Sequence, residues 1–146
     1  MGEGRTGGCG CDAIRYRLAS APFDAGWCHC RICQRASGSP ALAFATVPLG
    51  DFVIERGADR IGIFLSSSFG VRQFCVACGT PLTMQVTHQP GTIDVTVATL
   101  DDPADVVPGF HIFHAAAIAW AETADTLPRH AGFRPDTLGL EGGKQP

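Results

Sequence analysis

Residues 72–82 read RQFCVACGTPL, a short strand-like run that ends in two cysteines three positions apart. In a tight turn residues at that spacing converge, so Cys75 and Cys78 can aim two sulfurs at one ion. Gly79, directly after Cys78, suits such a turn, which often needs φ > 0 and a close approach of backbone to metal. The stretch is therefore half of a metal site. A second pair of sulfurs from a distant segment would complete it and staple the chain across its fold.

The other cysteines lie upstream, Cys9 and Cys11 in GGCGC and Cys28, Cys30 and Cys33 in WCHCRIC, which makes seven in all. An odd number, in a chain whose first residues MGEGRTGG show no apolar leader, favours thiolates held by metal over a disulfide framework. A redox dithiol in CRIC or CVAC would want a βαβ context, which this sequence does not offer. Spacing alone leaves the pairing open, since Cys75 and Cys78 can share an ion with Cys9 and Cys11 or with Cys28 and Cys30. Either choice leaves three thiolates without a fourth partner. His29 is the nearest candidate, but if Cys28 and Cys30 share a strand face, His29 points to the opposite one.

Between the clusters the apolar pattern has period two. AIRYRL puts Ile14, Tyr16 and Leu18 on one face and Arg15 and Arg17 on the other, a half-buried strand. ALAFATV, apolar on both faces, reads as a strand inside a sheet. DFVIE, IGIFL, VRQF, PLTMQV and TIDVTVATL are short, β-branched or aromatic, and bounded by Gly, Pro, Ser or Asp. Helical turns are expected only at RICQRAS and at DDPADVVPG, the latter with an Asp cap and an early Pro. AAAIAWAETA suits either state and is assigned to strand. The sequence thus predicts a mainly β fold, one domain over residues 1–146 with its core at about 7–133 and loosely held ends at 1–7 and 139–146.

The chain has 146 residues, of which 45% are hydrophobic and 17% charged, enough for one core of its own. A net charge of −3, with Lys and Arg scattered, lacks the basic stripe that nucleic acids or anionic membranes require. No apolar run approaches the ~20 residues needed to span a bilayer, so a cytoplasmic protein is expected. Gly2 and Thr6 match the loose N-myristoylation pattern, a short motif.

Taken together, GGCGC, CHCRICQRASG, RQFCVACGTPL, VATLDDP and the later HI, Trp and LP resemble the family of glutathione-dependent formaldehyde-activating enzymes, also called the centromere-protein-V or Gfa-type domain. The resemblance implies an Mss4-like fold, several coiled antiparallel sheets around a structural zinc. It implies that Cys9, Cys11, Cys75 and Cys78 hold that zinc, and that Cys28, Cys30 and Cys33 hold a second, open one at the reactive site. The activity it implies is that of a carbon–sulfur lyase, joining or parting a thiol such as glutathione and formaldehyde or another small aldehyde. A zinc-binding module that binds a thiol, a conjugate or a protein partner without turnover is the alternative. A domain with the structural zinc alone is a third. Asp12 stands where many relatives have Gly, and HIFHAAAIAW is richer in alanine than is usual there.

A three-ligand zinc leaves a position for water or substrate, so the missing ligand can be the substrate's own sulfur, bound as thiolate, or an aldehyde oxygen. Around it, Arg35 is a candidate to pair a substrate carboxylate, and Ser37 and Gly38 are candidates to offer backbone N–H donors. His111 and His114 are candidates for proton transfer near neutral pH.

Overall fold

The computed structural model describes residues 4–135. Ten strands form two sheets among the described residues; seven fall on the segments read as strands, while those at Arg5–Gly8, Phe23–Cys28 and His111–Ile112 were not expected. A three-stranded antiparallel sheet has the order β1 (Arg5–Gly8), β2 (Arg15–Leu18), β5 (Phe52–Arg56). A seven-stranded sheet has the order β10 (His111–Ile112), β3 (Phe23–Cys28), β4 (Leu42–Pro48), β9 (Thr92–Thr96), β8 (Pro81–Val86), β7 (Gly70–Cys75), β6 (Ile61–Leu65). All its pairs are antiparallel except β10 with β3, which run parallel, so this sheet is mixed. The single α-helix among the described residues, α1 (Arg31–Ser37), falls on RICQRAS as expected.

The period-two reading holds in detail. Ile14, Tyr16 and Leu18 are fully buried, while Arg17 turns outward to bond Glu55 across the sheet at 2.7 Å. They pack with Ala45, Val47, Leu82, Ile93 and Val95 from one face of the large sheet in the principal core. Gly7 lets β1 lie on this core, since a Cβ there would come within 2.5 Å of the Tyr16 ring. The opposite face of β4 carries Phe44 into a second, smaller cluster with Cys28, Cys33, Phe110 and Ile112. ALAFATV is apolar on both faces because each serves a different cluster.

On the second face, the register lines up one residue per strand. Phe64, Arg72, Met84, Asp94, Thr46 and Phe23 are successive cross-strand partners from β6 to β3. A cation and a carboxyl thus lie on one face of the sheet, with Met84 between them.

Four expectations are corrected. AAAIAWAETA forms no strand but two short 3₁₀ turns, His114–Ala116 and Ala119–Ala121, after Phe113 takes a left-handed φ of 52°. Alanines give a strand little side chain to pack against a neighbour. DDPADVVPG makes one turn, Val106 N–H to Pro103 C=O at 3.1 Å, rather than a helix. Of the two aspartates that open it, Asp101 accepts from Thr6 at 2.6 Å and from Arg15 at 3.0 Å. TIDVTVATL ends as a strand at Thr96 and continues as a 3₁₀ turn, Val97–Thr99, closed by the Thr99 hydroxyl on the Thr96 carbonyl. Arg5–Gly7, expected to be loosely held, are part of β1 and pair with Tyr16–Leu18. The other end assigned as loose, 139–146, and Gly2 of the lipidation motif lie outside the described residues. No helix among the described residues is long and apolar enough to cross a membrane.

Candidate metal and thiol site

Two turns bring four sulfurs together. Cys9 and Cys11 sit in the connection from β1 to β2, Cys75 ends β7, Cys78 sits in the connection from β7 to β8, and all four Sγ atoms lie within 4.8 Å of one another. Cys9 to Cys11 is 3.6 Å and Cys11 to Cys75 is 3.8 Å. A tetrahedral ion with metal–sulfur bonds of about 2.3 Å, as for zinc, needs sulfurs roughly 3.8 Å apart, so the donor set fits. Gly79 has φ 81° and its N–H bonds the Cys75 carbonyl at 2.7 Å, the knuckle expected after Cys78. In the other turn Asp12 adopts φ 66°, a left-handed position at which Gly is the easy choice and Asp is tolerated.

Small donors complete this group. The Ile14 N–H points at Cys9 Sγ at 3.3 Å, and the Gly10 N–H bonds the Thr80 hydroxyl at 2.9 Å, which fastens one turn to the other. Thr80 Oγ1 also lies 3.1 Å from Cys78 Sγ. The Thr80 hydroxyl and backbone hold the Cys78 thiol down at about 5, so this exposed sulfur is a thiolate at neutral pH.

The second group is built from one segment. Cys28 ends β3, Cys30 is the N-cap of α1 with its sulfur accepting from the Cys33 N–H at 3.2 Å, and Cys33 lies in the first turn. The chain turns from strand to helix between them, and the three Sγ atoms fall within 4.8 Å of one another, Cys28 and Cys33 at 3.2 Å. Cys28 and Cys30 therefore do not share a strand face; the helix start aims Cys30 back at Cys28. The thiols of Cys28 and Cys33 hold Cys30 down at about 2, while Cys30 and Cys33 push Cys28 well above the usual range. One negative charge is easily accommodated among these sulfurs and further ones are opposed, the situation a cation relieves.

His29 does not join this group. It is buried on the far side, with Nε2 2.8 Å from His111 Nδ1, and His111 Nε2 reaches Asp125 at 3.1 Å. Its carbonyl accepts from Gln34 Nε2 at 2.8 Å. His114 pairs with Glu122 at 3.0 Å. Burial, then His111 and His114, lower the His29 pKa and keep it neutral. This network braces the peptide between two of the cysteines. Neither His111 nor His114 lines the cavity at the three sulfurs; Ile112 and Phe113, between them in sequence, do.

That cavity opens between α1, the start of β7 and the segment around Phe133, and the aromatic rings of Phe69, Phe113 and Phe133 form much of its wall. Arg72, 6% exposed, enters it from β7 and donates from Nη2 to Cys33 Sγ at 3.1 Å. Asp94, two strands away in the same cross-sheet row, lines the two adjoining cavities and accepts from the Thr46 hydroxyl at 2.7 Å. Burial raises its pKa to about 6. The three residues named as candidates to contact substrate do not line the cavity at the three sulfurs. Arg35 is exposed on α1 and absent from the cavity wall, the Ser37 hydroxyl bonds the Cys33 carbonyl at 2.7 Å, and Gly38, φ 67°, is the helix C-cap. Arg72 and Asp94 were missed. Their signal was a charged residue inside each of two otherwise strand-like runs.

The chain is similar to two known proteins. A protein of Schizosaccharomyces pombe named as an uncharacterized lyase is 34% identical over 82 residues, 56% of this chain and 58% of that protein's length. A crystal structure of a Rhodobacter sphaeroides protein superposes with a TM-score of 0.58 at 30% identity, covering 70% of this chain and 97% of the other. Residues 4–116, which contain both cysteine groups and the cavity's cation, match the family described as glutathione-dependent formaldehyde-activating enzyme, and the chain belongs to that family.

Proposed function

We propose that the protein is a zinc-dependent carbon–sulfur lyase that makes or breaks the adduct of a thiol, glutathione or a similar one, with formaldehyde or another small aldehyde. The observation that carries this reading is the incomplete donor set. Three sulfurs converge, no fourth His, Cys, Asp or Glu among the described residues joins them, and a cavity lies beside them. Thiolate donors favour zinc, and four-thiolate and three-thiolate sets divide as structural and open sites do. Zinc held by Cys28, Cys30 and Cys33 would supply an exchangeable position for a substrate sulfur or an aldehyde oxygen.

The chain's own groups do the rest. The Arg72 N–H on Cys33 favours its thiolate form, and the buried Gln34 and His29 bonds fix the backbone that carries Cys28 and Cys30. The Phe69 and Phe133 rings limit the water that reaches the reacting atoms. The test is exchange between free and adducted formaldehyde in the presence of glutathione, followed by NMR with and without protein. Faster exchange that is lost in Cys30→Ser supports the reading. Thiol binding with exchange at the buffer rate would replace it with the non-catalytic module.

A further inference from the structure

We propose that Arg72 is a catalytic residue, binding the aldehyde-derived oxygen of the adduct through Nη1 while Nη2 holds the Cys33 sulfur; this rests on the lyase reading above. Arg72 is a fully engaged-looking cation that is in fact underused. Nη2 has one partner, the sulfur of Cys33, and Nε is sealed from solvent with none. Among the described residues Nη1 has no partner either, yet it is not among the sealed atoms, and the side chain lines both the cavity at the three sulfurs and its neighbour. A buried guanidinium left with open donors is costly unless a ligand completes it. The ligand its fork suits is an oxygen carrying negative charge.

The position selects which oxygen. Three thiolates around a divalent ion carry one excess negative charge, which Arg72 offsets from Cys33, so a substrate thiolate can enter without a second uncompensated charge. In adduct formation a lone pair of that sulfur forms the C–S bond to the carbonyl carbon, the C=O π pair moves onto oxygen, and the oxygen takes a proton from water. In cleavage the hydroxyl proton returns to water, C=O re-forms, and the C–S pair goes back to sulfur. In both directions charge develops on oxygen next to the sulfur, and Nη1 is the donor within the same side chain that already touches the sulfur site. A group that meets charge as it develops acts on the rate rather than on ground-state binding.

Arg72→Lys keeps the charge and loses the fork. The expected result is metal content and thiol binding near those of the unmutated protein, with kcat for adduct exchange down by about 10²–10³-fold, the usual cost of an oxyanion donor. Arg72→Met should lose at least as much. Formate, a planar analogue bearing an oxyanion, should compete with aldehyde but not with thiol in the unmutated protein, and this reading needs no variant to fold. A lysine variant with unchanged kcat, or formate that does not compete with aldehyde, overturns the assignment while leaving the lyase reading in place. An unmutated protein that exchanges no adduct at all overturns both.

Discussion

The two cysteine groups use the same donor and differ in everything around it. The four-sulfur group is assembled from two hairpins far apart in sequence, with Cys11 and Cys78 at the surface and backbone N–H groups and the Thr80 hydroxyl for support. The three-sulfur group comes from one strand-to-helix turn. It is backed by a bonded chain of His29, His111 and Asp125, touched by a buried arginine, and open to a cavity. A site that only ties segments together needs distant ligands and modest surroundings. A site that reacts needs an unfilled position and neighbours that tune charge, and it contributes little to closing the fold because its ligands are already neighbours in the chain.

The sharpest way to break this division is to remove one sulfur from each. Cys78→Ser should release the β1–β2 connection from the β7–β8 connection, giving insoluble protein or a Tm lower by more than about 10 °C, since a structural zinc site supplies folding free energy directly. Thermal unfolding of the purified variant checks this. A Tm equal to that of the unmutated protein would remove the structural role from this group. Cys30→Ser should give the mirror image, with adduct exchange and thiol binding lost and Tm within a few degrees. Unfolding in that variant would make the three-sulfur group structural as well.

Metal removal sharpens the same contrast without mutation. With one protein ligand fewer and an exchangeable position, the three-sulfur site should release its ion first to a chelator, and its freed thiols should be the first to oxidise. Metal analysis against time, with mass spectrometry of the cysteines, should show one equivalent leaving before any loss of folded signal. Simultaneous loss of both equivalents and of structure would show that the sites are not separable.

Seven of the strands were legible because alternation is local, and Ile14, Tyr16 and Leu18 announce their face. The helix at RICQRAS was expected, but not its caps: Cys30, set on a strand face, starts it, and Gly38, offered as a substrate contact, ends it. The clustering of cysteines was legible too, but which clusters meet came from the family resemblance, since spacing admits both pairings. What could not be read was the cross-sheet row. Arg72 and Asp94 are 22 positions apart in sequence, and only the register of β7 on β8 and β8 on β9 sets them on one face with Met84 between. His111 was misplaced for the same reason. A histidine in an apolar run gives no sign that it will bond another histidine 82 residues upstream.

Asp94 offers a pH test of that row. Its pKa rises from the usual 3.8 to about 6 because burial disfavours the charged form, against the help of Thr46 and, more weakly, Arg72. The fold thus favours the protonated carboxyl. The associated stability is complete below about pH 4 and is lost as pH rises through about 6, a difference on the order of 2 kcal/mol. Asp94→Asn keeps an oxygen for the Thr46 hydroxyl and cannot ionise. The variant should therefore match the unmutated protein near pH 4 and exceed it in unfolding free energy at pH 7. Urea unfolding of both proteins at each pH isolates this group, because other titrations cancel in the difference. A difference that does not vary with pH would mean that Asp94 is solvated in the folded protein.

The smallest effect is expected at Arg35, the residue that sequence proximity to Cys33 first suggested as a carboxylate partner. It is exposed on α1, makes no hydrogen bond or ion pair among the described residues, and does not contribute to the cavity wall, whereas Arg72, 39 positions from Cys33, touches its sulfur. Truncating an exposed, unpaired arginine costs stability within about 0.5 kcal/mol. Arg35→Ala should leave Tm, kcat and the KM for glutathione within about twofold of their values in the unmutated protein. A KM raised by about tenfold or more, with kcat intact, would reveal a carboxylate contact in the bound state worth about 1.4 kcal/mol. It would also show that the thiol substrate extends from the three sulfurs along the outer face of α1 rather than only into the aromatic-walled cavity.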